Sequence, residues 1–137
     1  MYSAIYNPPS EEEPEILGSL VETAIFSQWM HSSEDMKKIY YARWKGGKGE
    51  VDIVYMNRGA PDWCIEVKWS DRNIDHPERF TNVINFCKNN RIKIATITTK
   101  SKSSSSVING IELDFDPSSL YCFKVGYNLV DQRTSIN

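Results

Sequence analysis

The chain has 137 residues, of which 16 are basic and 18 acidic, for a net charge of −2. That length fits one ordinary domain with a real core, and the balanced charge excludes a basic protein that clings to any polyanion, though not an enzyme that turns nucleic acid over. No apolar run approaches transmembrane length and the N-terminus carries no signal-peptide pattern, so a soluble protein with a cytoplasmic location is expected.

Residues 1–15 read as a leader or linker. Pro8, Pro9 and Pro14 break regular structure, and Glu11, Glu12 and Glu13 make a short acidic run. A helix is predicted over residues 16–30, where Leu17, Leu20, Val21, Ala24 and Ile25 recur at helical spacing. Glu22 lies beside that stripe, and on an arbitrary helix it would be a solvated boundary residue. The run KIYYARW, residues 38–44, reads as a strand, and Lys45-Gly46-Gly47-Lys48-Gly49 as the turn after it. Lys37, Lys38, Arg43, Lys45 and Lys48 form a positive stretch with no acid among them, suited either to a phosphate backbone or to keeping a sheet edge soluble. Arg43 is the strongest of the five, because a guanidinium pairs a phosphate bidentately.

The centre of the chain is EVDIVYMNRGAPDWCIEVK, residues 50–68. It reads as a β-hairpin, with strands over residues 50–56 and 62–69 and a turn over residues 57–61. Alternation puts Glu50, Asp52, Val54 and Met56 on one face of the first strand, and Cys64, Glu66 and Lys68 on one face of the second. Glu66-x-Lys68 alone is what a half-exposed strand looks like. Asp52 is less ordinary, since aspartate is depleted in strands and stands here between Val51 and Ile53. A register that sets Asp52 opposite Glu66 would bring like charges to roughly 5 Å, unfavourable for a strand and favourable for a divalent cation.

After a polar connection, Asp75, Pro77 and Glu78 suggest a capped helix start, and Phe80, Val83, Ile84 and Cys87 form its apolar stripe up to Asn89-Asn90. His76 has no partner at metal spacing and reads as a helix-start residue. The run IKIATIT, residues 92–98, is a strand expected to pair parallel with the hairpin's second strand. KSKSSSS, residues 100–106, reads as a flexible loop, residues 111–115 as a short strand, and Asp116-Pro117 as the opening of a short helix. Cys64, Cys87 and Cys122 form no metal or disulfide pattern, so buried free thiols are expected.

Three stretches in order, LGSLVETAIF, YYARWKGGKGEVDIVYM and WCIEVKWSDR, resemble the PD-(D/E)xK nuclease superfamily, and more narrowly the C-terminal nuclease-like domain of prokaryotic ATPases with an N-terminal AAA module. They cover about half the chain. No Gly-rich phosphate loop followed by Lys-Ser or Lys-Thr occurs, so the ATPase module is absent from these residues, and Asp52 is not preceded by proline. The resemblance implies an α/β fold, a restriction-endonuclease-like mixed sheet flanked by helices with core order α-β-β-β-α-β. Its domain plan is a leader over residues 1–15, a nuclease-like core over 16–98, and a loop, strand and short helix over 99–137.

The resemblance also implies roles. Asp52, Glu66 and the backbone carbonyl of Val67 would hold Mg²⁺ or Mn²⁺, with Glu22 binding a second ion or steering the attacking water. Lys68 would orient or deprotonate that water, or stabilise the charge on phosphorus, making Lys68 and Glu22 the catalytic candidates. The positive stretch, and not the resemblance, makes Arg43, Lys45 and Lys48, with Tyr41 beside them, the expected nucleic-acid contacts, DNA rather than RNA. Three functions stay open: a metal-dependent nuclease, a nucleic-acid-binding or regulatory module without turnover, and a docking domain for an AAA-type ATPase.

Overall fold

A computed structural model of the chain describes residues 14–134. The expected leader thus falls outside the described residues, apart from Pro14 and Glu15, which already belong to helix α1, Pro14–Gln28. Proline suits a helix start because its missing N–H would have no partner there. The helix buries a narrower stripe than its periodicity suggests: Ile25 is fully buried, while Leu20 remains exposed. A 3₁₀ turn over Trp29–His31 and a one-turn helix α2, Ser33–Met36, follow; the Ser32 hydroxyl accepts from the Asp35 N–H at 3.2 Å and caps α2.

Strands β1, Ile39–Trp44, β2, Gly49–Asn57, and β3, Ala60–Glu66, form the antiparallel meander. The turn between β2 and β3 is tighter than residues 57–61. Only Arg58 and Gly59 lie outside the ladder, with φ of 49° and 81°, the left-handed pair that matches hairpin twist. Helix α3, Thr81–Asn90, leads to β4, Ile94–Thr99, which pairs parallel with β3 as its apolar, β-branched sequence implies. Strands β5, Ser104–Ile108, and β6, Ile111–Pro117, and helix α4, Ser118–Thr134, complete a six-stranded mixed sheet of order β1-β2-β3-β4-β6-β5. This is the expected α/β class, with helices on both faces and the order α-β-β-β-α-β at its centre. Among the described residues no helix is long and apolar enough to cross a membrane.

Each face of the sheet has its own core. On one, Val54, Cys64, Ala95, Ile97, Leu113 and Phe115 pack with Val83, Ile84 and Cys87 of α3. On the other, Ile39, Ile53, Ile65 and Val67 pack with Ile25 of α1, with Tyr121 and Cys122 of α4 against them. All three cysteines are free; Cys64 and Cys87 are buried with their sulfurs 3.5 Å apart, and Cys122 is half-buried.

Four sequence expectations need correction. Residues 100–106 are not a free loop. Ser104, Ser105 and Ser106 pair with Phe115, Asp114 and Leu113 as an edge strand, and Asp71 accepts from the N–H groups of Ser101 and Lys102 and from the Ser101 hydroxyl. Polar residues suit an edge, which must not template aggregation. The C-terminal helix has 17 residues and is not short. Asp75 does not cap α3; a 3₁₀ turn, Pro77–Arg79, intervenes, and Phe80 stands at the cap position without a side-chain bond. Finally, Val54 does not share the face of Asp52. Ala42 pairs with Val51 but Tyr40 with Val54, so Asp52 and Ile53 together oppose Tyr41. This β-bulge reverses the alternation beyond it.

Gly49 anchors the start of β2. A Cβ there would collide with the Trp44 indole, which stacks on Phe86 at 5.7 Å. Gly49→Ala should therefore destabilise the domain by about 1–3 kcal/mol, read as a lower denaturant midpoint, because the indole must leave its stack. An unchanged midpoint would show that Trp44 repacks freely.

Candidate functional site

The site forms where β3 leaves the sheet while β2 runs on beside β1. Ile53 pairs with Ile65 at the end of the β2–β3 ladder, and Asp52 and Glu66 each stand one residue beyond that last pair. Beyond Glu66, which pairs with Ile97, side chains replace the ladder. The Val67 N–H donates to Asp52 Oδ2 at 2.7 Å. The Lys68 N–H donates to Thr98 Oγ1 at 2.8 Å, and that hydroxyl donates back to the Lys68 carbonyl at 3.0 Å. The second strand therefore ends at Glu66, short of residue 69, and Val67 and Lys68 are held by Asp52 and Thr98. Asp52 thus has a structural task as well as an acidic one.

A cleft of about 740 Å³ opens at this point, lined by Glu22, Glu50, Asp52, Val67, Lys68 and Arg72, with Gly18 and Ser19 of α1 on its wall. Glu66 does not line it. Glu66 faces a smaller cavity of about 170 Å³ on the α3 side, with Asn73, Arg79 and Thr81. Lys68 borders both, and its Nζ donates to Glu66 Oε1 at 2.7 Å. The other carboxylate oxygen, Oε2, is buried and has no hydrogen-bond partner. A buried polar atom left without a partner is costly.

Electrostatics bind these groups into one system. Burial, with the Asp52 charge behind it, lifts the Glu66 carboxyl to about 7 against the pull of Lys68. Burial also raises Asp52, opposed by the Val67 N–H and by Lys68. Glu22 is raised by partial desolvation at the cleft wall and by the charge of Asp52. For Lys68, burial favours the neutral amine, but Glu66, Asp52 and Glu50 outweigh it and raise the ammonium. Lys68 therefore stays a cation near neutral pH, which argues against its deprotonating a water.

Asp52 and Glu66 are the groups able to offer oxygens to a hard divalent cation. The unpartnered Glu66 Oε2 is the kind of donor such an ion would satisfy, and Mg²⁺ needs only one or two carboxylates besides water and phosphate. Among the described residues no three His, Cys, Asp or Glu side chains gather into a metal cluster. Glu22 thus lines the same cleft as Asp52 without completing such a group.

Of the expected nucleic-acid contacts, Arg43 pairs across the ladder with Glu50, and the Tyr41 hydroxyl donates to Glu50 Oε2 at 2.7 Å, which sets both beside the cleft. Lys45 and Lys48 stand on the adjoining turn, both exposed. Sequence reasoning left Glu50 and Thr98 without a role. Glu50 was visible two residues before Asp52 on the same face. Nothing local marks Thr98, which acts through a contact 30 residues away.

No curated protein and no solved structure matches the chain. Residues 17–114 match a family described as a domain of unknown function, DUF4143. That stretch includes all but the first turn of α1, the whole meander, α3 and β4, and with them every candidate residue of the cleft. With well over half of its length inside the match, the chain belongs to the DUF4143 family.

Proposed function

We propose that this domain is a divalent-metal-dependent phosphodiesterase of the PD-(D/E)xK kind acting on nucleic acid, DNA in the first instance. The observation that carries the reading is the junction of Asp52, Glu66 and Lys68 at the end of β3: two carboxylates in adjoining cavities that Lys68 borders, an ammonium 2.7 Å from one of them, and a buried carboxylate oxygen with no partner. A retired site has no chemical use for that arrangement. Asp52, Glu66 and the Val67 carbonyl would hold Mg²⁺ or Mn²⁺, which supplies charge neutralisation at phosphate and acidifies water. Lys68, kept protonated by its acidic neighbours, donates to a phosphate oxygen and offsets the charge that builds there. Glu22, whose carboxyl is raised by partial desolvation and by the Asp52 charge, accepts the proton of the attacking water.

Supercoiled, linear and branched DNA incubated with the chain should be cut in Mg²⁺ or Mn²⁺ and left intact in EDTA. Absence of cutting with either cation would favour a second reading, a nucleic-acid-binding or regulatory module of an AAA-type ATPase. The observation on that side is that, among the described residues, no three metal-ligating side chains gather at the cleft. Arg43, Lys45 and Lys48 supply phosphate contacts in both readings. Log affinity should then fall with log salt at a slope of about −2 to −4, and Arg43→Ala with Lys45→Ala should flatten it by about 1 to 2. An unchanged slope moves the phosphate contacts elsewhere.

A further inference from the structure

A second groove, of about 540 Å³, lies on the other side of β1 from the cleft. Lys37, Tyr40, Tyr41, Met56, Arg58 and Phe86 line it, and no acidic side chain does. Its volume is that of a small-ligand site. We propose that this groove receives an unpaired nucleotide of a single strand that also occupies the cleft. The proposal rests on the nucleic-acid reading above and specifies the form of the substrate.

Three observations favour that occupant. The first is aromatic surface: Tyr40 is 54 % exposed and Tyr41 51 %, on a sheet edge where exposed aromatic rings need a reason. Bases stack on such rings without regard to sequence. The second is unspent positive charge. Among the described residues neither Lys37 nor Arg58 makes an ion pair. Lys38 also borders the groove, with its ammonium 5.7 Å from the centre of the Tyr55 ring. The third is the residue at the turn. Arg58 holds φ of 49° at a position that favours Asn, Asp or Gly. Turn chemistry does not ask for arginine there, so its side chain stands at the groove at a conformational cost. Tyr41 joins the two sites, lining the groove while its hydroxyl reaches Glu50 of the cleft. A strand leaving the cleft past Tyr41 crosses the exposed edge of β1 and enters the groove. A rigid duplex cannot turn over that edge.

The test uses the full chain in EDTA, so that nothing is cut. Fluorescence anisotropy compares a labelled DNA single strand with a blunt duplex of the same sequence. The single strand should bind about ten-fold more tightly, and Tyr40→Ala and Arg58→Gly should each weaken it by about the same factor. Arg58→Gly should also raise Tm, because glycine adopts the left-handed turn without strain. A weaker binder that is more stable cannot be explained by misfolding. Equal affinity for strand and duplex, or wild-type binding by both variants, overturns the proposal. So does a dimer that Tyr40→Ala dissociates, which would assign the groove to a second copy. Metal-dependent cutting with unaltered binding in the variants refutes the groove alone. Strand binding lost in the variants, with no cutting by the wild type, refutes the nuclease alone.

Discussion

Lys68→Ala should lower metal-dependent DNA cleavage by about 10²–10⁴-fold, the range for removing a group that acts on the reacting centre. The expectation follows from position. Lys68 borders both cavities, its backbone is clamped by Thr98, and its ammonium is 2.7 Å from Glu66. Three carboxylates raise its proton affinity, so it enters the reaction as a fixed positive charge. The loss should therefore appear in kcat more than in KM. Stability should fall by only about 1 kcal/mol, because the side chain is 46 % exposed and Glu66 can take up a proton when its partner goes. Above pH 8, where Glu66 is ionised, the rise in Tm given by Mn²⁺ should persist or grow, since no ammonium competes for Oε1. Wild-type cleavage by this variant would remove Lys68 from the chemistry and assign the activity elsewhere.

Glu66→Gln should stabilise the metal-free protein at pH 8 and reduce its pH dependence in the weakly acidic range. Glu66 titrates at an ordinary 4.5 when unfolded and at about 7 when folded. Between those values the native state binds more protons than the unfolded state, so stability falls as pH rises. The full decline corresponds to roughly 3 kcal/mol at most, given the size of the shift. In EDTA, wild-type Tm should thus drop between about pH 4.5 and about pH 7, while the glutamine variant, left with only the raised carboxyls of Asp52 and Glu22, should drop less across that window. The same deprotonation frees the carboxylate for a cation, so the Tm gain from Mg²⁺ or Mn²⁺ should grow through pH 7 in the wild type and vanish in the variant. If Glu66→Gln instead cost more than about 2 kcal/mol at pH 8, Glu66 would be the buried counter-charge that holds Lys68.

The sequence by itself determined the elements whose information is local. Alternation and β-branching marked β1, β2, β3, β4 and β6, and 3.6-residue spacing marked α1 and α3, because burial on one face imposes those periods. Asp52 and Glu66-x-Lys68 stood out for the same reason: charges inside apolar runs break the pattern. The tertiary structure decided what depends on pairing between distant segments. The bulge that turns Val54 away from Asp52 leaves only the doublet Ile53-Val54 in sequence, and its placement is set by β1. A serine run became β5 because β6 supplies its hydrogen bonds; β5 has little apolar surface of its own to announce it. The division of the acidic groups was also beyond local reading. Glu22 and Asp52 face one cavity and Glu66 another, with Lys68 between them, because β3 ends at Glu66 and Thr98 holds the next turn of chain. Spacing along a strand fixes which face a side chain takes, but the point where a strand leaves its sheet depends on which partner satisfies the next N–H.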